Sequence, residues 1–246
     1  MNDKRGLSLW LRWVLANCLG EAVGLGATFA IGFALFSQMG EPQGVLPAIG
    51  MALLMTSSGF LEGTVVGLAQ LLAMHQRFLQ VPRRAWVSAT IVGALVAWFL
   101  GSIPMTLTSL SSPGQQAAGP EPQAATILLM AGVMGAFAGL VLGFPQWLAL
   151  RRVVAGAWLW MPANCLAWAL GMPMVFSAID LAQRGGSAAW AVTTMAMAVA
   201  ITGAVVGAVH GLALVRLASQ IKGTSSGAGQ LDATSSTPVF LNHRVT

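Results

Sequence analysis

The sequence predicts an all-α integral membrane protein, a bundle of six transmembrane helices. Of its 246 residues, 56% carry apolar side chains and only 8% are charged, whereas soluble domains are about 25% charged. The mean hydropathy is +0.75. The apolar residues fall into six continuous stretches, each long enough to cross a bilayer, which takes about 20 residues as a helix. These observations exclude a secreted disulfide scaffold, a disordered chain and a nucleic-acid-binding protein.

Each stretch is predicted to be a helix because it is continuous, whereas membrane barrel strands alternate in segments of about ten residues. A helix also satisfies its own backbone polar groups, as the hydrocarbon core requires. A transmembrane domain over 1–218 is predicted, followed by a flexible cytoplasmic tail over 219–246 that is rich in Ser, Thr and Gly. The predicted helices are Leu9 to Phe36, Leu46 to His75, Ala85 to Leu110, Ala125 to Leu150, Trp158 to Leu181 and Ala189 to Ala218.

The basic residues predict the orientation of this multi-pass protein. Eleven of the 12 Lys and Arg residues flank alternate helix ends on one side, and only Arg184 lies on the other. Because cytoplasmic loops of membrane proteins are enriched in Lys and Arg, both termini are predicted to be cytoplasmic. The eleven are Lys4, Arg5, Arg12, Arg77, Arg83, Arg84, Arg151, Arg152, Arg216, Lys222 and Arg244.

An internal repeat predicts that the bundle is built from three helical hairpins, at about 9–76, 85–152 and 158–217. The same residue types recur at matching places in the even-numbered and odd-numbered helices, as expected of a repeat architecture. In the even helices the matching sets are Gly63, Gly67 and Gln70; Gly139, Gly143 and Gln146; and Gly203, Gly207 and His210. In the odd helices they are Trp13 and Asn17; Trp86 and Thr90; and Trp160 and Asn164.

Glycines spaced four residues apart predict close helix packing. Small residues let neighbouring backbones approach in a bilayer, where lipid supplies no hydrophobic force between helices. The predicted packing residues are Gly59, Gly63, Gly67, Gly135, Gly139, Gly143, Gly203 and Gly207.

The second and third hairpins resemble a known group of proteins. The run is Gly139, Gly143, Gln146, Trp147, Leu150, Arg151 and Arg152, followed by Trp158, Trp160, Asn164 and Gly171. It resembles uncharacterised bacterial multi-helix membrane proteins with repeated Gly-rich, Gln-Trp and Arg-Arg hairpins. The first hairpin departs from that pattern, because it has Leu71 where Trp147 stands. The resemblance implies a bacterial inner membrane protein and implies no particular activity.

Polar residues near the cytoplasmic boundary predict a belt across the bundle, made of Asn17, Gln70, Thr90, Gln146, Asn164 and His210. This belt has two interpretations, hydrogen bonding between helices or the lining of a vestibule. The tryptophans at 10, 13, 86, 147, 158 and 160 are predicted to form an aromatic belt at the membrane interface.

Glu21 and Glu62 are the strongest candidates for a functional site. Both lie near the middle of predicted helices and neither belongs to the repeat. An ionised acid at the bilayer centre costs about 2.5 to 3.5 kcal/mol on insertion scales, so such residues usually face a wet interior. The alternative is that each stays protonated and hydrogen-bonds a neighbour such as Ser57, Ser58 or Thr64.

These residues predict a protein that moves or senses a proton, a cation or a small cationic solute, with His210 as a relay. Two alternatives remain: a structural or assembly subunit whose glycine faces dock partner helices or a second copy, and a haem or pigment protein that uses His210. No enzyme is expected, because the sequence lacks the GxSxG, HExxH and Walker motifs. It also lacks metal-spaced Cys or His residues, so no metal or cofactor is expected. The predicted partners are the bilayer and membrane proteins, not nucleic acid.

Overall fold

A computed structural model describes residues 3–39, 44–110 and 123–221, and these residues are almost entirely helical. The helices are α1 (Asp3–Met39), α2 (Val45–Met74), α3 (Arg83–Leu110), α4 (Ala124–Leu150), α5 (Trp160–Arg184) and α6 (Ala188–Ala218). A short 3₁₀ helix at Ala157–Leu159 precedes α5. All six long helices are long and apolar enough to cross a membrane. The prediction of an all-α protein with six helices long and apolar enough to span a membrane is confirmed for the described residues.

Five of the helices begin and end within three residues of the predicted positions, because their boundaries carry local signals. The exception is α1, which begins at Asp3, six residues before the predicted start at Leu9. Ser187 caps α6, where its side chain accepts a hydrogen bond from the Trp190 backbone, a common way to satisfy a free N–H at a helix start. Gly186 between α5 and α6 has a φ of 67°, a left-handed conformation that favours glycine. The predicted tail lies outside the described residues from 222 onward. Ile221 forms an isolated bridge with Val154.

The helices form a closed ring, because each packs beside its neighbours in the chain and α6 returns to α1. Trp10 Nε1 donates to the Ala208 carbonyl at 3.0 Å, and Arg12 donates to the Gln76 amide oxygen at 2.7 Å. These bonds place the start of α1 beside the ends of α2 and α6. We call this the arginine-rich end, because nine described basic residues flank it: Lys4, Arg5, Arg12, Arg77, Arg83, Arg84, Arg151, Arg152 and Arg216.

Three of the helix contacts are made through the predicted packing glycines. A Cβ on Gly63 would lie 2.6 Å from the Ile91 Cα, and one on Gly203 would lie 2.6 Å from the Asn17 carbonyl oxygen. Real Cβ atoms do not approach so closely, so glycine is required at these positions for the observed packing. The contacts join Gly59, Gly63 and Gly67 of α2 to α3; Gly135, Gly139 and Gly143 of α4 to α5; and Gly203 and Gly207 of α6 to α1.

The main core lies at the arginine-rich end, and three tryptophans form its centre. Trp13, Trp86 and Trp160 are fully buried, and their rings meet edge to face with centroids 5.8 to 6.2 Å apart. The prediction that these three belong to an interfacial belt is wrong, because they lie on helix faces that point into the bundle. Trp158, by contrast, is 66% exposed, as expected of a belt residue.

The outer surface of the helices is apolar. Leu53, Leu129 and Leu212 are each more than 60% exposed, although they lie in the interior of long helices. In water such a surface would promote association, whereas in a bilayer it faces acyl chains. The exposed leucines therefore agree with membrane-spanning helices.

Candidate functional site

A small cavity lies inside the ring and all six helices line it. Its volume is about 20 Å³, which gives room for about one water molecule. The lining includes both candidate glutamates and all six residues of the predicted polar belt. The belt residues in the lining are Asn17, Gln70, Thr90, Gln146, Asn164 and His210.

Glu21 and Glu62 both contribute to this cavity, although they come from different helices. Glu21 is 3% exposed and Glu62 is 7% exposed, so both are inside the protein rather than against lipid. Each glutamate lies close to a glycine of a neighbouring helix: a Cβ on Gly24 of α1 would lie 3.1 Å from the Glu62 Cα. A Cβ on Gly203 of α6 would lie 2.9 Å from the Glu21 Cβ. Glycine on α1 and α6 thus leaves space for the two acids.

The two carboxyl groups have different hydrogen-bond partners. Glu62 Oε2 accepts a bond of 2.5 Å from the indole Nε1 of Trp98, which fixes its position against α3. Glu21 Oε2 is buried and has no hydrogen-bond partner among the described residues. A buried polar atom without a partner carries a desolvation cost of about 1 to 3 kcal/mol, more if it is charged. Among the described residues that line the cavity, Glu21 Oε2 is therefore the buried polar side-chain atom without a hydrogen-bond partner.

The polar belt forms hydrogen bonds between helices. Gln70 Nε2 donates to Asn17 Oδ1 at 2.9 Å, and Gln146 Nε2 donates to Thr90 Oγ1 at 2.9 Å. Gln146 Nε2 also lies 3.3 Å from Gln70 Oε1, so the two amides join across the ring. The belt thus connects helices, as its first interpretation predicts, and lines the small cavity; the vestibule stays a prediction.

The buried tryptophans close the cavity toward the arginine-rich end and take part in the same network. Trp160 Nε1 donates to Gln146 Oε1 at 3.0 Å, and Trp13 Nε1 donates to His210 Nδ1 at 2.8 Å. Trp86 Nε1 is buried without a partner among the described residues, although its ring packs beside the other two. The amide oxygen of Gln70 does not accept from Trp86, because it accepts from Gln146.

His210 lies in the centre of this packing. It is 2% exposed, and its ring centroid is 5.6 Å from that of Trp13 and 5.4 Å from that of Trp160. With one ring nitrogen bonded to Trp13 and a cavity of about 20 Å³ on its other side, a haem has no room beside it. Among the described residues, no group of three or more His, Cys, Asp or Glu side chains could hold a metal ion.

The sequence did not predict Trp98 as the partner of Glu62. Ser58 and Thr64, two of the suggested partners, donate instead to carbonyls of their own helix, Leu54 and Phe60. Ser57 likewise donates to the Leu54 carbonyl. Trp98 stands one helix away and 36 residues along the chain, so local spacing carried no sign of the contact.

Comparisons with known proteins add no further constraint on this site. The chain matches no protein-family model, no curated protein and no solved structure. The likeness to repeated-hairpin bacterial membrane proteins stays a prediction from the sequence. The function must therefore be inferred from the geometry of the cavity.

Proposed function

We propose that this protein moves or senses a proton, or a single small cation, across a bacterial inner membrane through Glu21 and Glu62. The observation that carries the proposal is the free carboxyl oxygen of Glu21, buried in the cavity that Glu62 also lines. Ionisable groups inside a membrane protein commonly mark the path of a proton or ion, because burying them without a use is costly. A small cationic organic solute is not part of the proposal, because a volume of about 20 Å³ accommodates little more than a water molecule.

The two acids have separate roles in this proposal. Glu62 is held by Trp98, and it acts as the fixed carboxylate of the site. Glu21 has an oxygen free to bind a proton, which one water molecule delivers and another water molecule takes away. His210 is the proposed relay toward the arginine-rich end. Its Nδ1 accepts a hydrogen bond from Trp13, so it takes up a proton at Nδ1 when that bond opens and releases the proton on Nε2.

The surrounding fold is proposed to be three copies of one hairpin, with both termini in the cytoplasm. Support comes from side chains that make the same bond at matching positions. Asn17, Thr90 and Asn164 each donate to the carbonyl four residues earlier, which belongs to Trp13, Trp86 and Trp160 respectively. The clustering of basic residues at the arginine-rich end supports a cytoplasmic location for that end.

The rival assembly function is less well supported. A docking subunit needs a glycine face open to a partner helix, whereas Gly63, Gly139 and Gly203 already contact helices of this chain. Large apolar residues such as Leu53 and Leu129 dominate the exposed helix surface. Such a surface is suited to lipid, and it does not offer the close backbone approach that small residues give.

The proposal is tested by proton flux in proteoliposomes that contain a trapped pH-sensitive dye. A potassium diffusion potential drives the flux, and the wild type is compared with Glu21→Gln and Glu62→Gln. The matched control is Asp180→Asn, the same acid-to-amide change in an exposed ion pair with Arg184. We expect the control to match the wild type and each glutamine variant to lose at least about tenfold in rate, because the amide cannot carry the proton.

Two further outcomes separate transport from sensing. A parallel set of vesicles carries a sodium or lithium gradient at constant pH, and the cation that moves identifies the transported species. A protein without flux but with pH-dependent protonation of Glu21 is a sensor. Wild-type flux in both glutamine variants, or neither flux nor protonation of Glu21, would contradict the proposal.

A further inference from the structure

We propose that the outer surface between α3 and α4 binds an anionic phospholipid, with Arg152 at the phosphate. A groove of about 240 Å³ lies here, much larger than the central cavity and separate from it. Its lining includes Ala85, Ser88, Ala89, Val92, Pro145 and Arg152. This site is independent of the proposed proton or cation function.

The groove has an apolar length and a basic end, which is the chemistry of a phospholipid. Small and apolar side chains from Ala85 to Val92 and from Pro145 to Ala149 form its walls. Arg152 is the second residue after α4, which ends at Leu150, so it lies at the end where the helix would leave the membrane. Basic pockets between membrane helices at such an end bind anionic headgroups.

Arg152 is available to a ligand. It is exposed, and it makes no hydrogen bond or ion pair with any residue of the described ranges. Its neighbour Arg151 instead lies over the Trp147 ring at 4.8 Å. A guanidinium pairs with phosphate through two parallel N–H bonds, so a phosphate diester is the group that satisfies Arg152. Arg83 and Arg84 stand immediately before Ala85 at the same end and increase the positive potential there.

The corresponding position between α1 and α2 differs from the site between α3 and α4. At the same end of that helix pair, Arg12 donates to Gln76 at 2.7 Å and to the Ser8 carbonyl at 3.2 Å. The guanidinium of Arg12 is therefore already hydrogen-bonded within the protein. Between α3 and α4 the small Ala85 leaves the groove open, and Pro145 within α4 removes a backbone donor from its wall.

The test compares ligands that differ in headgroup charge or in the presence of acyl chains. Purified protein in mild detergent is mixed with phosphatidylglycerol or with phosphatidylcholine of the same chain length, and retained lipid is counted by native mass spectrometry. We expect one phosphatidylglycerol to stay bound at concentrations that leave phosphatidylcholine unbound. Inorganic phosphate in excess should not displace it, because free phosphate lacks the acyl chains that fill the groove.

Two variants and one control locate the site. Arg152→Gln should weaken phosphatidylglycerol binding about fivefold, the effect of one basic residue near a membrane surface. Ala85→Leu should fill the groove and lower retention of the lipid while Arg152 is kept. The control, Arg216→Gln, removes another exposed arginine at the arginine-rich end and should retain wild-type binding. Equal binding of the two lipids, displacement by phosphate, or equal losses in Arg152→Gln and Arg216→Gln would overturn the proposal.

Discussion

The arginine-rich end of the bundle is packed more closely than the opposite end. At the arginine-rich end all six helices contribute to one buried cluster, which includes Leu9, Met74, Trp86, Leu150, Trp160 and Leu214. At the opposite end, the first turns of α4, over residues 124–130, are exposed on every face. The two carboxyls lie between these regions, near the middle of α1 and α2.

This difference indicates that the two ends have different roles, one in stability and the other in access to the carboxyl site. The tryptophan cluster holds the helices together and closes the cavity on one side. The opposite half has fewer large buried side chains among the described residues, and regions with few buried contacts open at a lower free energy. We therefore infer that the carboxyl site exchanges protons or ions first with the opposite side, and that the arginine-rich side is the barrier.

The largest expected effect is the removal of a tryptophan from the cluster. Trp160→Ala should lower the free energy of unfolding by about 3 to 5 kcal/mol, because a fully buried indole leaves a cavity. Trp158→Ala, two residues earlier and 66% exposed, should change it by about 0.5 kcal/mol or less. Denaturant titration in detergent micelles measures both. Equal costs would show that the cluster does not hold the bundle together.

A smaller effect is expected at the glycines of α2. Gly63→Ala should destabilise the protein by about 1 to 3 kcal/mol, because its Cβ would collide with the Ile91 backbone and force the helices apart. Gly50→Ala, in the same helix near the opposite end, has nothing within 4 Å. It should be neutral or stabilising by up to about 1 kcal/mol, the helix preference of alanine over glycine. The same unfolding titration distinguishes them, and a stable Gly63→Ala protein would contradict the packing.

The smallest effect distinguishes the tryptophans within the cluster. Trp160→Phe loses the bond to Gln146, whereas Trp86→Phe removes an N–H that has no described partner. We expect Trp160→Phe to cost about 0.6 kcal/mol more than Trp86→Phe, the average worth of such a bond in a membrane. Because that difference is small, it is best measured as a shift in unfolding midpoint within one series. A larger cost for Trp86→Phe would mean that its N–H is bonded.

Much of the fold could be predicted from the sequence because a bilayer demands long apolar helices. The predicted α4, Ala125 to Leu150, differs from the observed helix by one residue at its start. The register of the belt was also predictable, since Gln70, Gln146 and His210 recur at matching positions and all line the cavity. The repeat indicated that these three residues lie at the same depth in the bundle, which no single residue could indicate.

The rest depends on contacts between distant helices. Tryptophans near a helix end usually lie at the membrane interface, so nothing local indicated that Trp13 and Trp160 would be buried. Their recurrence in register with Asn17 and Asn164 was the available signal. The bond between Trp98 and Glu62 had no such signal, because neither residue has a counterpart in the other hairpins. The sequence likewise did not indicate that Gly63 would face α3 rather than α1.

The most direct test of the account is an infrared titration of the buried carboxyls. Protonated Glu21 and Glu62 are followed by their C=O stretch across pH in reconstituted bilayers, and isotope-edited samples separate the two. If both groups share one cavity, Glu21→Gln must move the titration midpoint of Glu62 by about one pH unit or more, while Asp180→Asn leaves it in place. An unchanged Glu62 titration in Glu21→Gln would show that the two acids do not share a site.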